Sequence, residues 1–95
     1  MLYMCSYTWN AGTTAENVRK VLARPNAAYD SGKVRVLGYY GIVGGGAGYL
    51  LVEADEPQSV NEILVPTMGA IAWDVRQVIE RDFAEELVQA GHKTD

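Results

Sequence analysis

The chain is poor in the residues that carry most protein chemistry. In 95 residues it has one cysteine, one histidine, three prolines and one phenylalanine. Cys5 alone closes no intrachain disulfide. Cys5 and His92 together fall short of the roughly four Cys/His ligands of a structural zinc site, so no metal site and no resident cofactor are expected. A free thiol without a disulfide framework suits a reducing cytoplasm. Basic residues are also scarce, eight Lys and Arg against twelve Asp and Glu, for a net charge of −4. That balance, with no interleaving of Arg or Lys with aromatic residues, argues against nucleic acid as a partner.

Long hydrophobic runs are missing too. The longest uncharged stretch, Val36 to Val52, has 17 residues, of which six are glycine. Its glycine-rich centre and strand-like flanks read as a hairpin, not as a membrane span. The opening Met1 to Trp9 has no basic n-region, so a signal peptide is not expected.

What remains is ordinary globular composition, 48% hydrophobic and 21% charged, with six Tyr and two Trp for a core or a pocket. The length allows one domain, 1–95, with a thin core that favours self-association as a supplement. Charge is unevenly spread. Residues 1–52 hold five basic and two acidic side chains (+3), and residues 53–95 hold three and ten (−7), which together give −4. Such polarity can steer association, although most of these charges are expected to be solvated.

Leu2 to Trp9, uncharged and rich in Tyr, Thr and Trp, reads as a buried strand, and Asn10-Ala11-Gly12 as a turn. Thr13 stands three residues before Glu16, the capping-box spacing, and predicts a helix from about Thr14. Val18, Val21, Leu22 and Pro25 share its face, and Pro25 ends it near Ala23. Asn26 to Lys33 is expected to be irregular. Val34 to Val43 and Tyr49 to Ala54 are strands of a hairpin turned by Gly44 to Gly48, and glycines inside the first strand suggest a bulge or a close approach. A helix with Pro57 in its first turn and Val60, Ile63 and Leu64 inward precedes a strand over Met68 to Ile79. Asp82 then caps a last helix, about 82–90, with Phe83, Leu87 and Val88 expected inward and Gly91 as its C-terminal cap.

The order β-α-β-β-α-β over about 2–80, plus the added helix, is the ferredoxin-like plan: an α+β domain with a four-stranded antiparallel sheet. Strands one and three fall in its centre, and both helices lie on one face. A half-exposed strand alternates apolar with charged residues, yet neither register of strand one carries a charge. An uncovered face lined with Tyr and Trp is a patch that monomers avoid. Two such faces stacked across a two-fold axis make a dimeric α+β barrel, so the first expected partner is a second copy of the chain.

The chain resembles the dimeric α+β barrel superfamily, and within it a family of short bacterial proteins known only as a domain of unknown function. The resemblance spans about residues 2–80. It is carried by the hairpin Gly44-Gly45-Gly46-Ala47-Gly48-Tyr49-Leu50-Leu51-Val52-Glu53-Ala54-Asp55 and by the strand ending Tyr7-Thr8-Trp9. It implies fold and dimerisation, since that family has no agreed activity. Better-known members of the superfamily include cofactor-independent monooxygenases, haem-degrading enzymes, polyketide cyclases and effector domains of transcription regulators. The cyclase and haem-degrading relatives depend on a pocket histidine, whereas His92 lies in the tail.

The glycine cluster is no phosphate loop: no Gly-x-Gly-x-x-Gly or Gly-Lys-Ser/Thr fits it, and a strand follows instead of a helix. Trp73, Asp74 and Arg76 with Asn10 and Trp9 come nearest to a monooxygenase set, but Asp74 and Arg76 share a strand face opposite Trp73. Tyr3 and Tyr7 share a face of strand one, and Tyr49 and Glu53 share a face of strand three. If these faces match, phenols and one carboxylate line one interior, and a buried Glu53 could act as acid or base. Cys5 shares the Tyr3 and Tyr7 face and reads as a small buried hydrophobe. The expectation is therefore a cytoplasmic homodimer that binds a small apolar or aromatic molecule through Tyr3, Tyr7, Tyr49, Glu53 and Trp73. Two alternatives stand beside it: a cofactor-independent monooxygenase or cyclase/isomerase using Tyr7, Glu53 or Arg76, and a purely structural oligomer.

Overall fold

The computed structural model describes residues 1–93. Its elements are β1 (Leu2–Trp9), α1 (Ala15–Leu22), α2 (Ala27–Asp30), β2 (Val34–Gly41), β3 (Ala47–Ala54), α3 (Pro57–Leu64), a 3-10 turn (Val65–Thr67), β4 (Ile71–Val78) and α4 (Phe83–Gln89). The strands form one antiparallel sheet in the order β2-β3-β1-β4. Strands one and three are central, as the ferredoxin-like plan requires.

Period-two alternation decides which side of the sheet the helices cover. In β1, Tyr3, Cys5 and Tyr7 are buried between partly covered Leu2, Met4 and Ser6. Leu50, Val52 and Ala54 of β3 join them beneath Val18, Val60, Ile63 and Leu64 of the helices. Both tryptophans belong to this helix side, Trp73 against both clusters and Trp9 beside Val18. The uncovered face therefore holds no tryptophan. Leu2, Met4, Leu51, Tyr49 and Tyr40 make its apolar part, with Arg35, Glu53, Asp74 and Arg76 among them.

Caps and cross-links differ in detail from the sequence expectation. Thr14, not Thr13, caps α1 and accepts from the Asn17 N–H at 3.2 Å. Thr13 instead donates to the Ala70 carbonyl at 3.2 Å and ties the start of α1 to the entry of β4. The stretch after Pro25 is not wholly irregular. Asn26 caps the short α2 through Ala28 N–H at 3.0 Å, and its amide donates to the Glu62 carbonyl at 2.7 Å, linking α2 to α3. Pro66 turns the chain, so β4 begins at Ile71 rather than at Met68.

The last helix is the larger correction. Asp82 caps it through Glu85 N–H at 3.0 Å, and Gly91 follows it at φ 94°. None of its residues is buried, and Phe83 is 71% exposed. β4 is an edge strand, so α4 leaves the sheet where the α1–α3 layer offers it no seat. The radius of gyration, 16.1 Å, exceeds the roughly 12 Å of a compact chain this long, in keeping with a projecting element. Among the described residues no helix is long and apolar enough to cross a membrane.

Candidate functional site

The register of β2 against β3 slips between Val36 and Gly38, leaving Leu37 as the extra residue of a bulge. Before the slip Val36 pairs with Val52, and after it Tyr39 pairs with Leu50. Both Val52 and Leu50 face the helices, so the bulge delivers Val36 and Tyr39 to the same side. Without it, Gly38 and Tyr40 would occupy that face.

Tyr39 thereby overhangs a cleft of about 300 Å³ between sheet and helices. Its floor is Tyr7 and Leu50 of the central strands with Ile63, Leu64, Ile71 and Trp73. Leu22, Tyr29, Val36 and Tyr39, all partly exposed, form its mouth. The Tyr7 ring stacks on Tyr39 with centroids 5.7 Å apart and planes 22° from parallel, and it meets Trp73 at 5.6 Å and 55°. These are the spacings at which aromatic pairs attract beyond simple burial. The Trp73 indole N–H donates to the Thr67 hydroxyl at 2.7 Å, which donates to the Leu64 carbonyl at 2.6 Å. The 3-10 turn thus fixes the indole plane.

Burial pushes the Tyr7 phenol up to about 12, and the neighbouring Tyr39 hydroxyl adds to the shift. Tyr29 is raised by burial and by the Cys5 beside it. Cys5 itself, fully buried, is pushed up to about 11 by loss of solvent. At neutral pH these groups are protonated: the phenols serve as hydrogen-bond donors, and the thiol is inert.

The sheet divides the residues expected to share one site. Tyr7 and Trp73 meet in the cleft. Tyr3 lies on the same side but farther along β1, in the core, with its hydroxyl 3.7 Å from Met1 Sδ. Tyr49 pairs across with Ser6 and Glu53 with Leu2, which puts both on the uncovered face. There Glu53 is in an ion pair with Arg35, and Arg76 is 3.2 Å from Asp74. Glu53 is thus partly exposed rather than enclosed with the phenols. Among the described residues no three His, Cys, Asp or Glu side chains gather to hold a metal ion.

Tyr39, Tyr29, Leu22, Val36 and Thr67 complete the cleft without having been singled out in the sequence. Gly38 within a strand was the one available signal for Tyr39, because it hinted at the bulge. Nothing in the sequence distinguishes the other four from ordinary core and turn residues.

Fold and cleft define a class: a ferredoxin-like α+β domain with an apolar, aromatic-lined cavity between its sheet and its helices. The chain belongs to the family described as Domain of unknown function (DUF3303), whose model matches residues 1–92. No curated protein matches the chain.

Proposed function

We propose that the protein binds a small apolar or aromatic molecule in the helix-side cleft, with no resident cofactor, and works as a cytoplasmic homodimer. The observation that carries the binding reading is the lining. Aromatic and aliphatic side chains enclose a volume at the lower end of the ~300–1,000 Å³ usual for ligand pockets, with few polar atoms among them. The Trp73–Thr67 hydrogen bond supports it, because it holds one wall in place before any ligand arrives.

The homodimer reading rests on the other face. Leu2, Met4, Leu51, Tyr40 and Tyr49 are contiguous there, and Tyr49 is 44% exposed. The charges on that face are matched in the pairs Arg35–Glu53 and Arg76–Asp74, so burial against a second copy leaves little uncompensated charge. A buried free thiol suits a reducing compartment. The enzyme reading draws less support, since Tyr7, Glu53 and Arg76 do not converge within one protomer.

The test of binding is a fluorescence titration with phenylnaphthylamine, a neutral apolar probe, on wild type and Val36→Trp. Val36 is 48% exposed at the mouth, so tryptophan there blocks entry without overpacking the core. Emission should rise with wild type and fail to rise with the variant. Equal response from both would overturn the cleft as the site. Glu53→Gln should leave probe affinity within about twofold, since the carboxylate belongs to a surface pair.

A further inference from the structure

The cleft has a polarity that its aromatic character conceals. Its lining includes no Asp, Glu, His, Lys or Arg. The nearest basic side chain along the helical wall, Arg24, is turned to the Pro66 carbonyl at 3.3 Å and stands outside the lining. Two of the polar groups inside are already committed: the Trp73 N–H to Thr67, and the Thr67 hydroxyl to the Leu64 carbonyl. What remains are the hydroxyls of three tyrosines: Tyr7 and Tyr39, whose rings are stacked, and Tyr29 at the mouth. Each phenol is neutral and carries one O–H to donate.

An incoming carboxylate would shed water into this space and find no cation there, and an ammonium would find no anion. A neutral acceptor oxygen loses less on leaving water and recovers a hydrogen bond from a phenol. Building on the reading of this cleft as the binding site, we infer that it selects an uncharged, flat aromatic molecule bearing a carbonyl or similar acceptor oxygen. Tyr7, Tyr29 and Tyr39 are the specificity determinants: the stacked rings of Tyr7 and Tyr39 seat the flat face, and the phenol O–H groups read the oxygen.

The test compares four probes with the same ring: a methyl naphthyl ketone, naphthoate, naphthylmethylammonium and ethylnaphthalene, substituted at the same carbon. Binding at pH 7 is followed by NMR on isotope-labelled protein through the indole N–H signal of Trp73. The ketone should bind at least about tenfold more tightly than naphthoate or the ammonium. It should also exceed ethylnaphthalene by roughly fivefold, the worth of one net hydrogen bond. Tyr7→Phe/Tyr29→Phe/Tyr39→Phe, which removes the three phenol oxygens and keeps the rings, should erase the ketone's advantage over the hydrocarbon while the hydrocarbon still binds. Naphthoate or the ammonium matching the ketone would overturn this inference and leave the cleft as a binding site. A ketone no tighter than the hydrocarbon in wild type would do the same. No shift of the Trp73 signal with any of the four would overturn the binding site and the inference together.

Discussion

The Tyr7 ring lies directly against the backbone of Gly48, its partner in the β1–β3 register. A Cβ at Gly48 would stand 2.5 Å from the Tyr7 hydroxyl and would collide with the Tyr40 carbonyl of β2. The glycine is thus a steric requirement: any side chain there must displace either the phenol that floors the cleft or the neighbouring strand. Gly48→Ala should lower stability by about 1–3 kcal/mol, the usual range for an overpacked core. It should also weaken phenylnaphthylamine binding, because Tyr7 cannot stay stacked beneath Tyr39. Urea unfolding and the probe titration read the two effects. An alanine variant with wild-type stability would show that the ring has room to move.

The wall opposite depends on Thr67. Valine has nearly the shape of threonine but cannot accept from the Trp73 indole, leaving that N–H partly buried without its partner. Thr67→Val should cost about 1–3 kcal/mol, while Thr67→Ser, which keeps the hydroxyl, should recover most of it. The indole N–H resonance of Trp73 should shift in the valine variant and stay close to wild type in the serine variant. A valine variant as stable as wild type would mean that the hydrogen bond fixes orientation without contributing net stability.

Much of the fold was legible in the sequence because its signals are local and strong. Asp82 three residues before Glu85, Pro57 at the start of α3 and the glycines of the β2–β3 turn each require one backbone conformation, and each sits where expected. The site was less legible, because it depends on which face of one strand meets which face of the next. Tyr7 and Trp73 meet because they are partners in the β1–β4 register, which residue spacing alone does not give. Tyr49 and Glu53 went to the far side, because Gly48 rather than Tyr49 lies across from Tyr7. Such a register is set by long-range pairing and leaves no trace in residue spacing. Phe83 and Val88 likewise satisfy helical periodicity, which cannot say whether a second layer exists to receive them.

The uncovered face makes a prediction about assembly. Leu51 lies at its centre, paired with Met4 on β1 and opposite Gly38 on β2. A lysine at this position points away from the cleft and should leave the fold and probe binding intact. It should nonetheless drive the protein toward monomer, since a second copy would have to bury two symmetry-related ammonium groups without partners. Sizing with light scattering at micromolar concentration measures the shift. Wild type that already runs as a monomer would sink the two-fold stacking of the sheets; a Leu51→Lys variant that stays dimeric would move the interface to another surface.

The fold should weaken at alkaline pH through two groups that the helix side keeps from water. The Cys5 thiol is pushed up to about 11 from an ordinary value near 9, and the Tyr7 phenol to about 12 from near 10. Both are neutral when protonated, and both lose their proton more easily in the unfolded chain. Their protonated forms impose no penalty below about pH 9. As pH rises the unfolded state sheds these protons first, so stability falls from about pH 9 through 11 for Cys5 and from about pH 10 through 12 for Tyr7. A shift of this size corresponds to at most about 2–3 kcal/mol for each group. Urea unfolding at successive pH values should show the decline. Cys5→Ala should flatten its earlier part and Tyr7→Phe its later part, whatever constant offset each substitution adds. The same burial should make the native thiol slow to react with a disulfide reagent at pH 8, and the reaction should accelerate sharply when urea unfolds the chain. A thiol that reacts at the unfolded rate in the native protein would show that the β1 core opens far more readily than its packing implies.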